Sequence, residues 1–182
     1  MIPELGALAA IHGQELERFR SSMNLVGPGP VDVHFKDSWL ALRSLEPAGA
    51  WADLGSGAGF PGLVFADIFP DVAMTLVDSR RKRCWFLEHV LRLAGRSDVE
   101  VLCQRVEGLA SHRFDGIVSR AFAPPASVLD HAERLLRPNG QVVMFLQADA
   151  APYLRSPFSL ESSHDYRFND KYRRIDVLRR NG

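Results

Sequence analysis

The sequence predicts an α/β fold in which a mostly parallel central sheet is flanked by helices and preceded by a helical extension. Three observations predict it. Short apolar runs of strand length alternate with amphipathic stretches, the pattern of strands joined by crossover helices. A glycine-rich turn separates the first of those runs from the helical stretch after it. The chain, 182 residues long, has room for one such domain and not for two, so 1–46 is expected as an N-terminal helical extension and 47–182 as the sheet-bearing core of a single domain.

The elements follow in order. Over 3–22, Leu5, Leu8, Ala9, Leu16 and Phe19 make a helical stripe, and Gly27-Pro28-Gly29-Pro30 breaks it. Residues 32–45 resume helical spacing through Phe35, Trp39, Leu42 and Leu45. The first strand is 50–54, followed by the glycine turn and a helix over about 61–69. Strand two is 73–77 and ends at Asp78; the helix over 81–94 carries Trp85, Leu87, Val90, Leu91 and Leu93. Strand three is 99–103 and strand four 116–119. A helix over 126–136 is expected to stop at Pro138-Asn139-Gly140, before strand five at 141–146. The Arg-rich stretch 158–178 is expected to add a closing antiparallel hairpin, with 175–178 as one of its strands.

Composition narrows the function classes. With 46% apolar and 24% charged residues the chain can bury a core, which excludes disordered, collagenous and coiled-coil readings. The 22 cationic and 22 anionic side chains leave no net charge, so a generic polyanion coat is not expected. Nineteen of those cations are Arg, the side chain suited to bidentate phosphate contacts; Lys36, Lys82 and Lys171 are the others. Cys84 and Cys103 are too few for a disulfide framework and lack metal-site spacing, so no metal is expected and a reducing, cytoplasmic setting fits. The first residues have no basic leader or cleavage pattern, and no stretch approaches the roughly 18 apolar residues that span a bilayer. A soluble monomer is expected.

The turn Asp53-Leu54-Gly55-Ser56-Gly57-Ala58-Gly59 joins a strand to a helix. Alternating glycines let the backbone turn sharply and approach a ligand, with N–H groups and the helix start expected to face it; Pro61 is expected at the first helical position. Nicotinamide cofactors and S-adenosylmethionine both use such a Rossmann-like turn, with an acid at the end of strand two, here Asp78, for the ribose hydroxyls. The spacing G-x-G-x-G, with Asp53 two residues ahead, favours S-adenosylmethionine over the dinucleotide pattern G-x-G-x-x-G. Its ammonium wants a carboxylate such as Asp53, and its carboxylate wants backbone N–H donors. A nicotinamide-dependent oxidoreductase, or a cofactor-binding module without activity, is the alternative.

The segments WADLGSGAGFPGL, LVDSRRKRCWFLEHV, CQRVEGL and FDGIVSRAFAP closely resemble successive motifs of the bacterial glucose-inhibited division protein B family, GidB, also called RsmG. MNLVGPGPVDVHFKDSW resembles that family's Asn-Leu followed by His-x-x-Asp-Ser, here Asn24-Leu25 and His34, Asp37 and Ser38. The resemblance runs over about 24–146. It implies a class I S-adenosylmethionine-dependent methyltransferase that acts on N7 of a guanosine in 16S ribosomal RNA, with the RNA or the small ribosomal subunit as partner. By position, it places S-adenosylmethionine against Gly55 and Phe60, Val106 and Glu107, and Arg120.

Beside the resemblance stands the chemistry of Ser119-Arg120-Ala121-Phe122-Ala123-Pro124. Amine-directed methyltransferases carry an Asn or Asp here; its absence suits a ring nitrogen, which already offers an in-plane lone pair. Arg120 is then the candidate catalytic residue, aligning the guanine, and Phe122 a stacking partner for it. Arg105, Arg173 and Arg174 are candidate RNA contacts. Two basic clusters, Arg80 to Arg83 and Lys171 to Arg180, are candidate phosphate sites. His34 and Asp37 are expected to form a buried polar pair anchoring the leading helices. After strand five the family carries a lysine-glycine pair, whereas this chain has Gln147-Ala148, one charge fewer near the substrate.

Overall fold

The structure, a computed structural model, describes residues 5–168 and 171–182. Its centre is β1, Ala50–Leu54, buried at every position but the first. Both faces of this strand must be covered, which is why it reads as a continuous apolar run. β1 pairs in parallel with β2, Ala73–Asp78, on one side and with β4, Phe114–Arg120, on the other. β3, Glu100–Cys103, extends the sheet beyond β2, and β5, Leu136–Gln147, extends it beyond β4. The hairpin of β6, Phe158–Phe168, and β7, Lys171–Arg180, closes the far edge antiparallel, giving the order β3-β2-β1-β4-β5-β7-β6.

Strand alternation sorts the core into two layers. On one face Trp51, Leu76, Val118 and Val143 meet α1, Ala7–Met23, α2, Asp32–Leu42, α3, Gly62–Ile68, and α4, Arg81–Leu93. On the other, Ala52, Leu54, Ile117 and Val142 meet α5, Pro125–Leu135. The leading helices share the core of the sheet through Leu8, Leu16 and Phe35. Gly116 makes this packing possible on β4, since a Cβ there would lie 2.2 Å from the Trp51 ring.

Several boundaries differ from expectation. The expected start of the first helix at Pro3 lies outside the described residues, and α1 begins at Ala7. Pro61 precedes α3 instead of opening it. Pro138-Asn139-Gly140 does not stop a helix: α5 ends at Leu135, and these residues form an irregularity inside β5, where Leu136 pairs with Phe114 but Gln141 pairs with Gly116. Asn139 takes φ 64° there, a conformation Asn tolerates. The closing hairpin falls where expected, but its second strand, β7, is longer than the expected 175–178, because it pairs with β5 over 173–179 and with β6 along its length.

Candidate active site

Strand order reverses between β1 and β4, so a crevice opens beyond the carboxyl ends of these strands, the place where open α/β sheets bind ligands. A cavity of about 390 Å³ lies there, lined by Gly55, Asp78, Arg80, Arg83, Val106 and Phe122 among others. Asp78 is nearly buried and tightly held: Oδ2 accepts the Gly57 N–H at 2.9 Å, Oδ1 accepts the Arg80 N–H at 2.8 Å, and Arg83 Nη1 stands 3.5 Å from Oδ2. Three donors on four lone pairs leave one acceptor site of Asp78, on Oδ1, for a ligand. Val106 forms a buried apolar wall in a single 3₁₀ turn, and Arg134 fixes that turn by donating to the Val106 carbonyl at 2.8 Å.

Gly55 in the turn and Gly62 just after it each allow a close approach. Gly55, at φ 73°, lies under the Phe122 ring, where a Cβ would sit 2.4 Å from Cδ2. Its N–H and that of Ser56 donate to the Val77 carbonyl, and the Gly59 N–H donates to the Ser56 carbonyl, so these groups face inward and not into the cavity as expected. Among the described residues the Ala58 and Phe60 N–H groups keep no protein acceptor. Gly62, which the sequence reading passed over, lets α3 approach the sheet: a Cβ there would lie 2.4 Å from Leu76 and 2.5 Å from Asp53 Oδ2. Its N–H donates to Asp53 Oδ2 at 3.0 Å. Asp53 itself is fully buried, burial lifts its carboxyl to about 7, and Oδ1 has no partner.

A second cavity, about 370 Å³, adjoins the first and is lined by Asp37, Arg120, Phe145, Gln147, Tyr166 and Arg173 among others. Ala121 lines both cavities and takes φ 55°, the left-handed region that costs a non-glycine residue about 1 kcal/mol. The Arg120 guanidinium touches the Phe60 ring of the turn at 5.1 Å and reaches Asp37 Oδ2 at 3.3 Å. Tyr166 donates to Asp37 Oδ1 at 2.9 Å, and burial with the adjacent Asp37 charge pushes its hydroxyl pKa up. Gln147, Arg173 and Tyr166 are register partners across β5, β7 and β6, which places them side by side. The buried Nε of Arg173 has no partner.

A family model described as rRNA small subunit methyltransferase G, GidB, matches residues 9–156. The chain belongs to this family. Similar GidB relatives are the ribosomal RNA small subunit methyltransferase G of Halorhodospira halophila, 43% identical over 113 residues, and that of Paracoccus denitrificans, 32% identical over 130 residues. Those matches take in 62% and 69% of this chain, but 54% and 67% of the relatives, so the chain spans about half the length of the first. Among solved structures, an S-adenosylmethionine-dependent methyltransferase from Aquifex aeolicus superposes with TM-score 0.62 at 14% identity, covering 87% of this chain and 97% of that one. TrmN from Thermus thermophilus gives 0.59 at 18% identity, over 85% and 55%. The fold is the Rossmann-like class I methyltransferase fold that the sequence predicted.

Within this GidB chain the expected site residues divide between the two cavities. Gly55, Asp78, Val106 and Glu107 line the first, joined by Arg105 and Phe122, which were expected on the RNA side. Asp53, Gly57, Gly59 and Phe60 lie behind them in the turn; Phe60 is buried against His12 and Phe35. Arg120 and Arg173 line the second cavity. Arg174, one residue on, points to the opposite face of β7, where its Nε lies 3.3 Å from buried Asp176.

The expected basic clusters also divide. Arg80 and Arg83 border the first cavity, whereas Arg179 is engaged by Glu161 and Arg180 donates to the Leu136 carbonyl at 2.8 Å, a structural use. His34 makes no hydrogen bond to Asp37 among the described residues; the acid turns to Arg120 and Tyr166 instead. Ala121, Tyr166 and Gly62 were missed. Gly62 was legible in the Phe60-Pro61-Gly62 run, but nothing local marks the other two. Among the described residues no helix is long and apolar enough to cross a membrane, and no group of three or more His, Cys, Asp or Glu is arranged to hold a metal.

Proposed function

We propose that this chain is an S-adenosylmethionine-dependent methyltransferase that acts on N7 of a guanosine in small-subunit ribosomal RNA, working as one domain with 1–46 as its helical extension. The observation that carries the proposal is the pair of cavities meeting at Ala121, one walled by Asp78 and Val106 and the other by Arg120 and Arg173. Membership of the GidB family supports the same chemistry. The first cavity suits the cofactor. Asp78 would accept from the ribose hydroxyls, Val106 would cover the adenine, and the free N–H groups of Ala58 and Phe60 would meet the methionine carboxylate. The unpartnered Asp53 Oδ1 suits the ammonium, whose charge would hold that carboxyl ionised.

When bound, the cofactor supplies a methyl group on a cationic sulfur. The residues of the second cavity then have a positioning task. N7 of guanine carries its lone pair in the ring plane and has no proton to lose, and the 119–124 segment offers no acid or base to remove one. Arg120 holds the base, Phe122 at the boundary packs the turn, and Arg173 with its unpartnered Nε takes a phosphate. Glu107 and Arg105, exposed at the mouth of the first cavity, would contact the cofactor edge and the RNA respectively. Nicotinamide chemistry is not favoured, since the family is described as a methyltransferase family.

The test is to map 7-methylguanosine in ribosomal RNA from cells with and without the protein, alongside binding of S-adenosylmethionine and NADH to the purified chain. A modification lost with the protein, and binding of the first ligand only, is expected. An unchanged RNA map contradicts the substrate, and binding of NADH contradicts the cofactor.

A further inference from the structure

Asp37 and Arg120 form a charged pair with capacity left over. Asp37 is nearly buried, yet its carboxylate uses one lone pair for Tyr166 and one for Arg120 among the described residues, and four sites are available. Arg120 gives one long bond, 3.3 Å, to Asp37, and its other N–H groups have no protein acceptor among the described residues. Both side chains open on the second cavity. A buried ion pair adds little stability by itself, so spare donors beside spare acceptors on a cavity wall point to a ligand that presents the complementary pair.

We propose that Asp37 and Arg120 together read the O6, N1–H and 2-amino edge of the substrate base, with the 2-amino group held by Asp37, which makes Asp37 a specificity-determining residue for guanine. The proposal rests on the guanosine reading above. Guanine places an acceptor, O6, next to donors, N1–H and the 2-amino group; Arg120 faces the acceptor and Asp37 the donors. Adenine presents the reverse order, a 6-amino donor and then the N1 acceptor, which would set donor against guanidinium and lone pair against carboxylate. The order also leaves the reacting atom free. N7 neighbours O6 on the side away from N1, and Arg120 also touches Phe60 of the cofactor turn, so a base held by O6 keeps its N7 lone pair for the methyl group. Tyr166, anchored to Asp37 and lining the same cavity, supplies an aromatic wall for a splayed-out base.

The test is single-turnover methyl transfer to small-subunit RNA carrying guanosine or inosine at the nucleotide where 7-methylguanosine is mapped. Inosine keeps N7, O6 and N1–H and lacks only the 2-amino group. The parent is expected to transfer to inosine about tenfold more slowly, the worth of a hydrogen bond to a charged acceptor. In Asp37→Ala the ratio should fall to about one, while Tyr166→Phe, which keeps the carboxylate, should retain it. Should Asp37→Ala fail to fold, judged by circular dichroism and cofactor binding, Asp37→Asn is expected to shrink the ratio at least about threefold. Equal rates on guanosine and inosine in the parent, or a ratio unchanged in a folded Asp37 variant, overturn the proposal and leave N7 methylation standing. Absence of any 7-methylguanosine product overturns both.

Discussion

Around the first cavity the contacts that fix Asp78 join residues 2, 5 and 21 positions apart, whereas around the second Asp37 reaches 83 positions to Arg120 and 129 to Tyr166. The first is a local device: a strand end, a glycine turn and the start of the next helix, which one stretch of chain can carry intact. The second is assembled from α2, β4 and the closing hairpin, and exists only when the whole chain is folded. The proposed cofactor site can therefore be carried as one motif, while the proposed substrate side is assembled from scattered positions, among them Gln147 and Arg173.

Substitutions that separate the two sides sharpen this contrast. The largest effect is expected from Gly55→Val, which adds a branched side chain at φ 73° into the Phe122 ring; cofactor affinity should fall by about 3–5 kcal/mol in calorimetry while RNA binding persists. Parallel loss of both would show that the cavities do not act separately.

Acid should weaken the local device through His12. Its ring is fully buried, Nε2–H donates to the Ala58 carbonyl at 2.7 Å, and burial lowers its pKa to about 4. The folded value lies below the ordinary 6.5, so folding favours the neutral ring. That stabilisation is whole above pH 6.5 and is lost as the pH falls toward 4, on the order of 3 kcal/mol in total. Urea unfolding at several pH values should show this slope in the parent and a smaller one in His12→Gln, which cannot titrate; identical slopes would remove His12 from the account.

On the substrate side, Arg120→Ala should slow transfer roughly 10- to 100-fold with cofactor affinity nearly unchanged, and Arg120→Lys should restore only part of it because one ammonium cannot reproduce a planar fork. Full activity in either variant contradicts the positioning role. An effect of similar size is expected from Asp78→Ala, about 1–3 kcal/mol of cofactor affinity with the transfer rate at saturation preserved. A loss of rate at saturating cofactor would break the division of labour between the two sides.

The same contrast explains what the sequence reveals. Strand runs, the glycine turn and Asp78 sit in local patterns, and the structure places the turn between β1 and α3 and Asp78 at the end of β2, although β4, β5 and β7 run longer than expected. The inward turning of the Gly55 and Ser56 N–H groups was hidden because the Val77 carbonyl that captures both belongs to the neighbouring strand. The separation of Arg173 from Arg174 follows from strand alternation and was obscured by the polar, irregular hairpin sequence. Asp37 carried a motif but not its partners, since Arg120 and Tyr166 meet it only through the sheet's tertiary course.

The central claim is transfer of a methyl group to a ring nitrogen by positioning alone. Single-turnover transfer to small ribosomal subunits at saturating S-adenosylmethionine, read as 7-methylguanosine across about pH 6 to 9, tests it most directly. The account predicts 7-methylguanosine as product and a rate independent of pH in that range. Methylation of an exocyclic amine or a ribose, or a rate that follows the titration of a single base, would contradict it.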